Sequence, residues 1–138
     1  MTRLRTSSFA AAIALIGSAT FAGTELETAL NNGGERLTAD QISELLIGNT
    51  VTAISGDKTF RFFYDPSNVV TGELTNGGWE GTGSFAITDA DNICVSMAAD
   101  KGRFRCLTVV RDGEILRKFD KNGKMTFELV DFEPSTGL

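Results

Sequence analysis

GWEGTGSFAITDADNICVSMAADKGRFRCLTVV, residues 78–110, carries the strongest structural signal in the chain. It contains the single tryptophan and both cysteines. Its first part alternates between two faces with a period of two residues, which is typical of a strand with one buried face. We predict three consecutive antiparallel strands here, and the first of them places on one face Trp79, Gly81, Gly83, Phe85 and Ile87.

The segment Thr88–Asn92 separates the first two of these strands and is rich in residues that bond their own backbone. The carboxylates of Asp89 and Asp91 are also candidate calcium ligands. The segment lacks the glycine and the closing glutamate of a helix–loop–helix calcium site. We therefore predict an ordinary turn, with calcium binding as the alternative.

Cys94 and Cys106 lie at equal distances on either side of Asp100. A hairpin that turns around Asp100 places them opposite each other, close enough for a disulfide. Closing a loop of this length stabilises a fold by about 3 kcal/mol in the chain-entropy model. The alternatives are a metal pair or a reactive thiol, but the chain has 0 histidines to complete a zinc site or activate a thiolate. We predict a Cys94–Cys106 disulfide.

Residues 1–22 have the composition of a secretory signal peptide, with a basic start, an apolar run and then small residues. The apolar run, Phe9–Ile16, is too short to span a bilayer. We predict cleavage after Ala22, with Ala19 as the alternative. Because disulfides persist outside the cytoplasm, export suits the two cysteines, and we expect a periplasmic or secreted protein.

Cleavage after Ala22 would remove Arg3 and Arg5 from the 13 basic residues and none of the 18 acidic ones. The mature chain would then carry 11 basic and 18 acidic residues, a net charge of −7. Such a surface repels nucleic acid and anionic lipid. We expect no nucleic-acid partner, no stable membrane insertion after signal cleavage, no cofactor and no metal.

One amphipathic helix is predicted over Leu37–Gly48, after a flexible lead-in at residues 23–36. Thr38 can cap this helix, and Gln41 three residues later completes a capping box. Leu37 and Ile42 are spaced to form a hydrophobic staple, and the glycine at position 48 can end the helix.

From residue 50 onward the period changes to two, and short turn-forming segments separate the strands. Short links force neighbouring strands to be antiparallel. We predict an all-β fold in which eight strands form an up-and-down meander that closes as a small barrel, with one short N-terminal helix. The single domain covers residues 37–131, and residues 132–138 form a tail. The strands outside the central stretch are Thr50–Ser55, Thr59–Tyr64, Val69–Leu74, Glu114–Phe119 and Lys124–Val130.

Three short motifs resemble those of an uncharacterised type of small exported bacterial domain. They are Leu-Thr-Ala-Asp from Leu37, Leu-x-Gly-Asn-Thr at Leu46–Thr50, and Gly-Thr-Gly-Ser-Phe at Gly81–Phe85. The predicted barrel is similar in shape to the calycin superfamily, which includes the lipocalins. Lipocalins carry a Gly-x-Trp motif in the first strand, whereas here that spacing, ending at Trp79, lies in the fourth.

Catalysis by a histidine-activated or cysteine-activated nucleophile has no support in this composition. A carboxylate pair of the glycosidase kind, for example Asp65 with Glu73 across a turn, is the alternative. With 18 acidic residues such pairs arise often by chance. We therefore predict that the protein is not an enzyme.

Whether the barrel interior is filled or hollow distinguishes two kinds of binding protein. Eight-stranded barrels are either filled by side chains or hollow enough for one small ligand. Bulky inward side chains favour a filled barrel, whose turns and outer face would bind a protein or envelope partner, for example as an inhibitor. The alternative is a small hydrophobic ligand bound in the interior, as in lipocalins. The candidate interior or ligand-binding residues are Phe60, Phe62, Tyr64, Trp79, Phe85 and Phe127.

The export hypothesis predicts that the mature chain starts near Gly23. Mass spectrometry of the exported protein measures this directly, and we expect the mass of a chain that lacks residues 1–22. Material that retains Met1, or that is found only in the cytoplasm, would contradict the hypothesis.

Overall fold

A computed structural model describes residues 23–138, and the predicted signal peptide, residues 1–22, lies outside this part. The described part contains helices α1 (Glu25–Asn31) and α2 (Ala39–Leu46) and a 3₁₀ turn at Ala98–Asp100. Its strands are β1 (Glu35–Arg36), β2 (Asn49–Ser55), β3 (Lys58–Tyr64), β4 (Val69–Leu74), β5 (Glu80–Thr88), β6 (Asn92–Met97), β7 (Arg105–Asp112), β8 (Ile115–Phe119) and β9 (Met125–Pro134).

Strands β2 to β9 form a closed antiparallel barrel in which each strand pairs with its neighbours in the sequence. The ring closes where β2 pairs with β9, from Asn49 opposite Pro134 to Ile54 opposite Glu128, with a bulge beside Thr52. Closure leaves no unpaired barrel edge. The prediction of an eight-stranded up-and-down barrel with a short N-terminal helix is confirmed, and the shape is consistent with a calycin-like barrel.

Helix α2 closes one end of the barrel. Thr38 Oγ1 accepts a hydrogen bond from the Gln41 amide and Gln41 Oε1 accepts one from the Thr38 amide, at 3.3 and 2.9 Å. The predicted capping box is therefore present. Leu37, Ile42 and Leu46 are all buried in the main core of the barrel. A capped helix of about two turns thus covers the end of the barrel that would otherwise expose this core.

The Thr88–Asn92 turn is tied to the start of α2. The Asp91 carboxylate accepts a 2.7 Å hydrogen bond from the Ala39 amide, an unpaired donor at the helix N-terminus. Within residues 23–138, no group of three or more acidic or cysteine residues has the arrangement of a metal site. Asp91 therefore has a structural role as a hydrogen-bond acceptor at the start of α2.

Helix α1 occupies the segment that was predicted to be a flexible lead-in. Thr24 and Glu27 form a second capping box, with reciprocal bonds of 3.1 and 3.2 Å. Ala29 packs against Val110 and Phe119 on the outer surface of the barrel. The Thr-x-x-Glu pattern is typical of a helix start. The helix was not predicted because it has only two large apolar residues and therefore no clear amphipathic pattern.

The last strand runs further than predicted. β9 continues to Pro134, because the residues after 131 still pair with the start of β2. The proposed tail is therefore shortened, and its backbone remains attached, since the Ser135 amide donates to the Gly48 carbonyl at 3.1 Å.

Cys94 and Cys106 occupy directly opposed positions on β6 and β7 and form a disulfide with an S–S distance of 2.02 Å. The loop between them turns through the 3₁₀ segment and Lys101, which has a positive φ of 55°. The predicted hairpin register and disulfide are confirmed.

No helix in the described part of the chain is long and apolar enough to cross a membrane.

The disulfide should stabilise the hairpin without being essential to it, because Ile93 and Val109 on the same two strands are buried in the core. We expect the Cys94→Ala, Cys106→Ala double variant to lose about 2–4 kcal/mol in urea unfolding. The reduced wild type is the control and should lose a similar amount. An unchanged midpoint, or two titratable thiols in the exported protein, would contradict this account.

Candidate ligand-binding site

The two ends of the barrel differ. At the end covered by α2, buried apolar side chains form the main core. At the other end lie the turns that follow β2, β4, β6 and β8. The start of α1 contacts the last of these turns, where the Leu26 amide donates to the Gly123 carbonyl at 2.9 Å. Antiparallel strands alternate in direction, so these four turns share one rim, which we call the mouth.

A cavity of about 580 Å³ extends from the mouth into the barrel. Its wall is mainly apolar, and exposed residues at its rim include Ala99 and Met125. The expectation that bulky side chains would fill the interior does not hold at this end. Those side chains lie along the wall and pack against one another.

Four aromatic side chains form this wall, which we call the aromatic wall: Phe60, Phe62, Trp79 and Phe127. Phe60 meets Trp79 edge to face with ring centroids 5.7 Å apart, and Phe127 meets Phe62 in the same way at 5.7 Å. Such contacts add stability beyond the burial of apolar area. The rings therefore hold one another in place as one cluster at the side of the cavity.

Two glycines explain how these rings stay against the wall. A Cβ on Gly72 would lie 2.6 Å from the Phe62 ring, and a Cβ on Gly81 would lie 2.8 Å from the Trp79 ring. Gly72 and Gly81 are themselves opposed on β4 and β5. Their missing side chains leave a recess that takes up the rings. Gly72 and Gly81 thus have a packing role in the barrel.

A buried lysine side chain reaches across the cavity to Tyr64, the last residue of β3 and a neighbour of the end of α2. Lys118 on β8 is only 3% exposed, and its Nζ donates a 2.7 Å hydrogen bond to Tyr64 Oη. The same Nζ lies 5.1 Å from the centre of the Tyr64 ring. Because β3 and β8 are separated in the sheet by β2 and β9, this bond crosses the interior of the barrel.

The Lys118 ammonium has no carboxylate partner among residues 23–138. The ion pairs of this part of the chain involve three arginines, each held by nearby acidic residues. A buried charge without a counter-ion costs free energy. Among residues 23–138 its hydrogen-bond partner is the Tyr64 hydroxyl, and the Tyr64 ring packs on Phe85 with ring centroids 5.2 Å apart.

Both acidic groups in the cavity lining at the mouth have hydrogen-bond donors within their own turns. Arg105 donates a 2.7 Å bond to Asp100 within the loop that joins β6 and β7. The Asp120 carboxylate accepts bonds from the amides of Asn122 and Lys124 in its own turn. Neither carboxylate forms an ion pair with Lys118 in the described chain.

Five of the six residues that the sequence proposed for the interior line the cavity: Phe60, Phe62, Tyr64, Trp79 and Phe127. The sixth, Phe85, lies beneath Tyr64 in the core. Sequence reasoning missed Lys118. The strand pattern could have found it, because Leu116 is apolar and Lys118 lies on the same face two residues later.

The two residues of the proposed carboxylate pair line one surface pocket but lie far apart along β4. Asp65 is next to Val69 at the turn, whereas Glu73 is opposite Arg61, four residues further along β4 and therefore roughly 13 Å away. That spacing exceeds what glycosidase carboxylates use. Hydrogen bonds from the Ser67 side chain and amide hold the pKa of Asp65 below its usual value, and Glu73 lies 3.7 Å from Arg61.

Comparison of the chain with protein-family models, with curated proteins and with solved structures gives no match.

Replacing Lys118 tests whether its burial is costly to the fold. We expect Lys118→Met to raise the free energy of unfolding by about 1 kcal/mol, because it removes an unpaired buried charge and keeps a side chain of similar length. Urea titration followed by Trp79 fluorescence measures this. The matched control is Lys58→Met, at an exposed position outside the cavity lining, which should leave the midpoint unchanged. A large loss of stability in Lys118→Met would show that the lysine is a structural element.

Proposed function

We propose that the protein is an exported, non-enzymatic binding protein that holds one small apolar ligand in the barrel interior. The observation that carries this proposal is the cavity of about 580 Å³ behind the mouth. Small-molecule sites usually have volumes of this order, with mostly apolar walls and a few polar groups that orient the ligand. Eight-stranded barrels of this kind have room for one such ligand.

The aromatic wall supports the same function. Phe60, Phe62 and Phe127 are only partly buried although they face inward. Apolar side chains that retain access to solvent inside a cavity gain stability when a ligand covers them. A ligand that enters from the mouth would bury the parts of these three side chains that remain accessible to solvent.

Export is the second part of the proposal. The Cys94–Cys106 disulfide favours an oxidising compartment, and the signal-like composition of residues 1–22 favours secretion. We therefore propose that binding takes place in the periplasm or outside the cell.

A protein or envelope partner was the function favoured from sequence, on the expectation of a filled barrel. The open interior moves our preference to a ligand. A pull-down with the mature chain would still find such a partner if the turns or outer face were the working surface.

Binding of N-phenyl-1-naphthylamine, a neutral apolar fluorophore, tests the proposal. We expect its emission to rise with the wild type, and we expect the Ser55→Phe variant to bind about tenfold more weakly because Ser55 lines the cavity. The matched control is Ser84→Phe, at an exposed position on the outer face of β5, which should bind like the wild type. Equal binding by all three proteins, or none by the wild type, would contradict an interior site.

A further inference from the structure

We propose that the ligand is an apolar monocarboxylate that binds with its carboxylate on Lys118 Nζ and Tyr64 Oη. Its apolar part would extend along the aromatic wall toward the mouth. This inference rests on the proposed function and adds the chemical class and the orientation of the ligand.

The lack of a counter-ion for Lys118 is the first argument. Its Nζ is buried beside Tyr64 in an apolar cavity and takes part in no ion pair in the described chain. A cation in such surroundings is unfavourable until an anion joins it. A carboxylate supplies that charge, and charge-assisted hydrogen bonds are shorter and stronger than neutral ones.

The hydrogen-bond donors fit a carboxylate. An ammonium has three N–H groups, and within the described part of the chain one of them is used, in the bond to Tyr64 Oη. Because that hydroxyl accepts from Lys118, its own proton is free to be donated. Two donors on atoms 2.7 Å apart can therefore serve the two oxygens of one carboxylate.

The charges of the lining agree with an anionic ligand. The described chain has 11 basic and 18 acidic residues, so most of its surface repels anions. The cavity lining has the opposite excess, with three basic residues, Arg105, Lys118 and Lys124, against two acidic ones, Asp100 and Asp120.

The same charges indicate the direction of the ligand. Arg105 is neutralised by Asp100 at 2.7 Å, and Lys124 is exposed to water, which weakens any ion pair it makes. Lys118 is the cavity cation that is both buried and unpaired in the described chain. The carboxylate is therefore expected beside Lys118 and Tyr64 and not at the mouth.

An aliphatic and an aromatic acid share this chemistry, and calorimetric titration of the mature protein at neutral pH distinguishes them. The probes are decanoate and 2-naphthoate, each with its alcohol, decanol or 2-naphthol. We expect at least one acid to bind about tenfold more tightly than its alcohol, and the tighter acid identifies the ligand as aliphatic or aromatic. If alcohols bind as tightly as acids, the carboxylate proposal is wrong but the interior site stands. If no probe binds, both are wrong.

Two variants locate the carboxylate. Lys118→Met should weaken binding of the preferred acid about tenfold and leave the affinity for the corresponding alcohol unchanged. The exposed control Lys58→Met should bind both compounds as the wild type does. Tyr64→Phe, which removes one hydroxyl, should give a smaller loss for the acid. An acid that binds Lys118→Met as tightly as the wild type would overturn the assignment, and urea titration of each variant confirms that it is folded.

Discussion

The backbone pairing between β2 and β9 turns a row of hairpins into a ring, and the remaining structure depends on that closure. An open eight-stranded sheet would need a second layer to bury its apolar face. A closed sheet buries its apolar face in its own interior, so that only the two ends of the barrel still need to be covered. Here α2 covers one end with Leu37, Ile42 and Leu46, and the turns at the other end leave a mouth.

The interior is therefore divided into a core that stabilises the fold and a cavity that does not. Tyr64 marks the boundary, since it packs on Phe85 on the core side and accepts a hydrogen bond from Lys118. A buried lysine without a counter-ion at this boundary costs stability, and residues that do so are expected at functional sites. We propose an acid as the ligand mainly because the buried Lys118 charge costs stability, and less because of the cavity volume.

Local patterns predicted most of the fold. Alternation placed the barrel strands, the Thr38–Gln41 spacing located α2, and symmetry about Asp100 identified the disulfide. The hollow interior could not be predicted in this way, because it depends on Gly72 and Gly81 meeting side chains from other strands and on how far the sheet is staggered when it closes. The strand pattern is enough to predict that Lys118 faces inward. Its hydrogen bond could not be predicted, because the partner, Tyr64, is 54 residues away in the chain.

A crystal structure of the mature protein grown with the preferred acid tests the central claim most directly. The account predicts electron density for the acid inside the barrel, with its carboxylate within hydrogen-bond distance of Lys118 Nζ and Tyr64 Oη and its apolar end at the mouth. A carboxylate at the mouth beside Arg105 or Lys124, or an acid bound only on the outer surface, would contradict it.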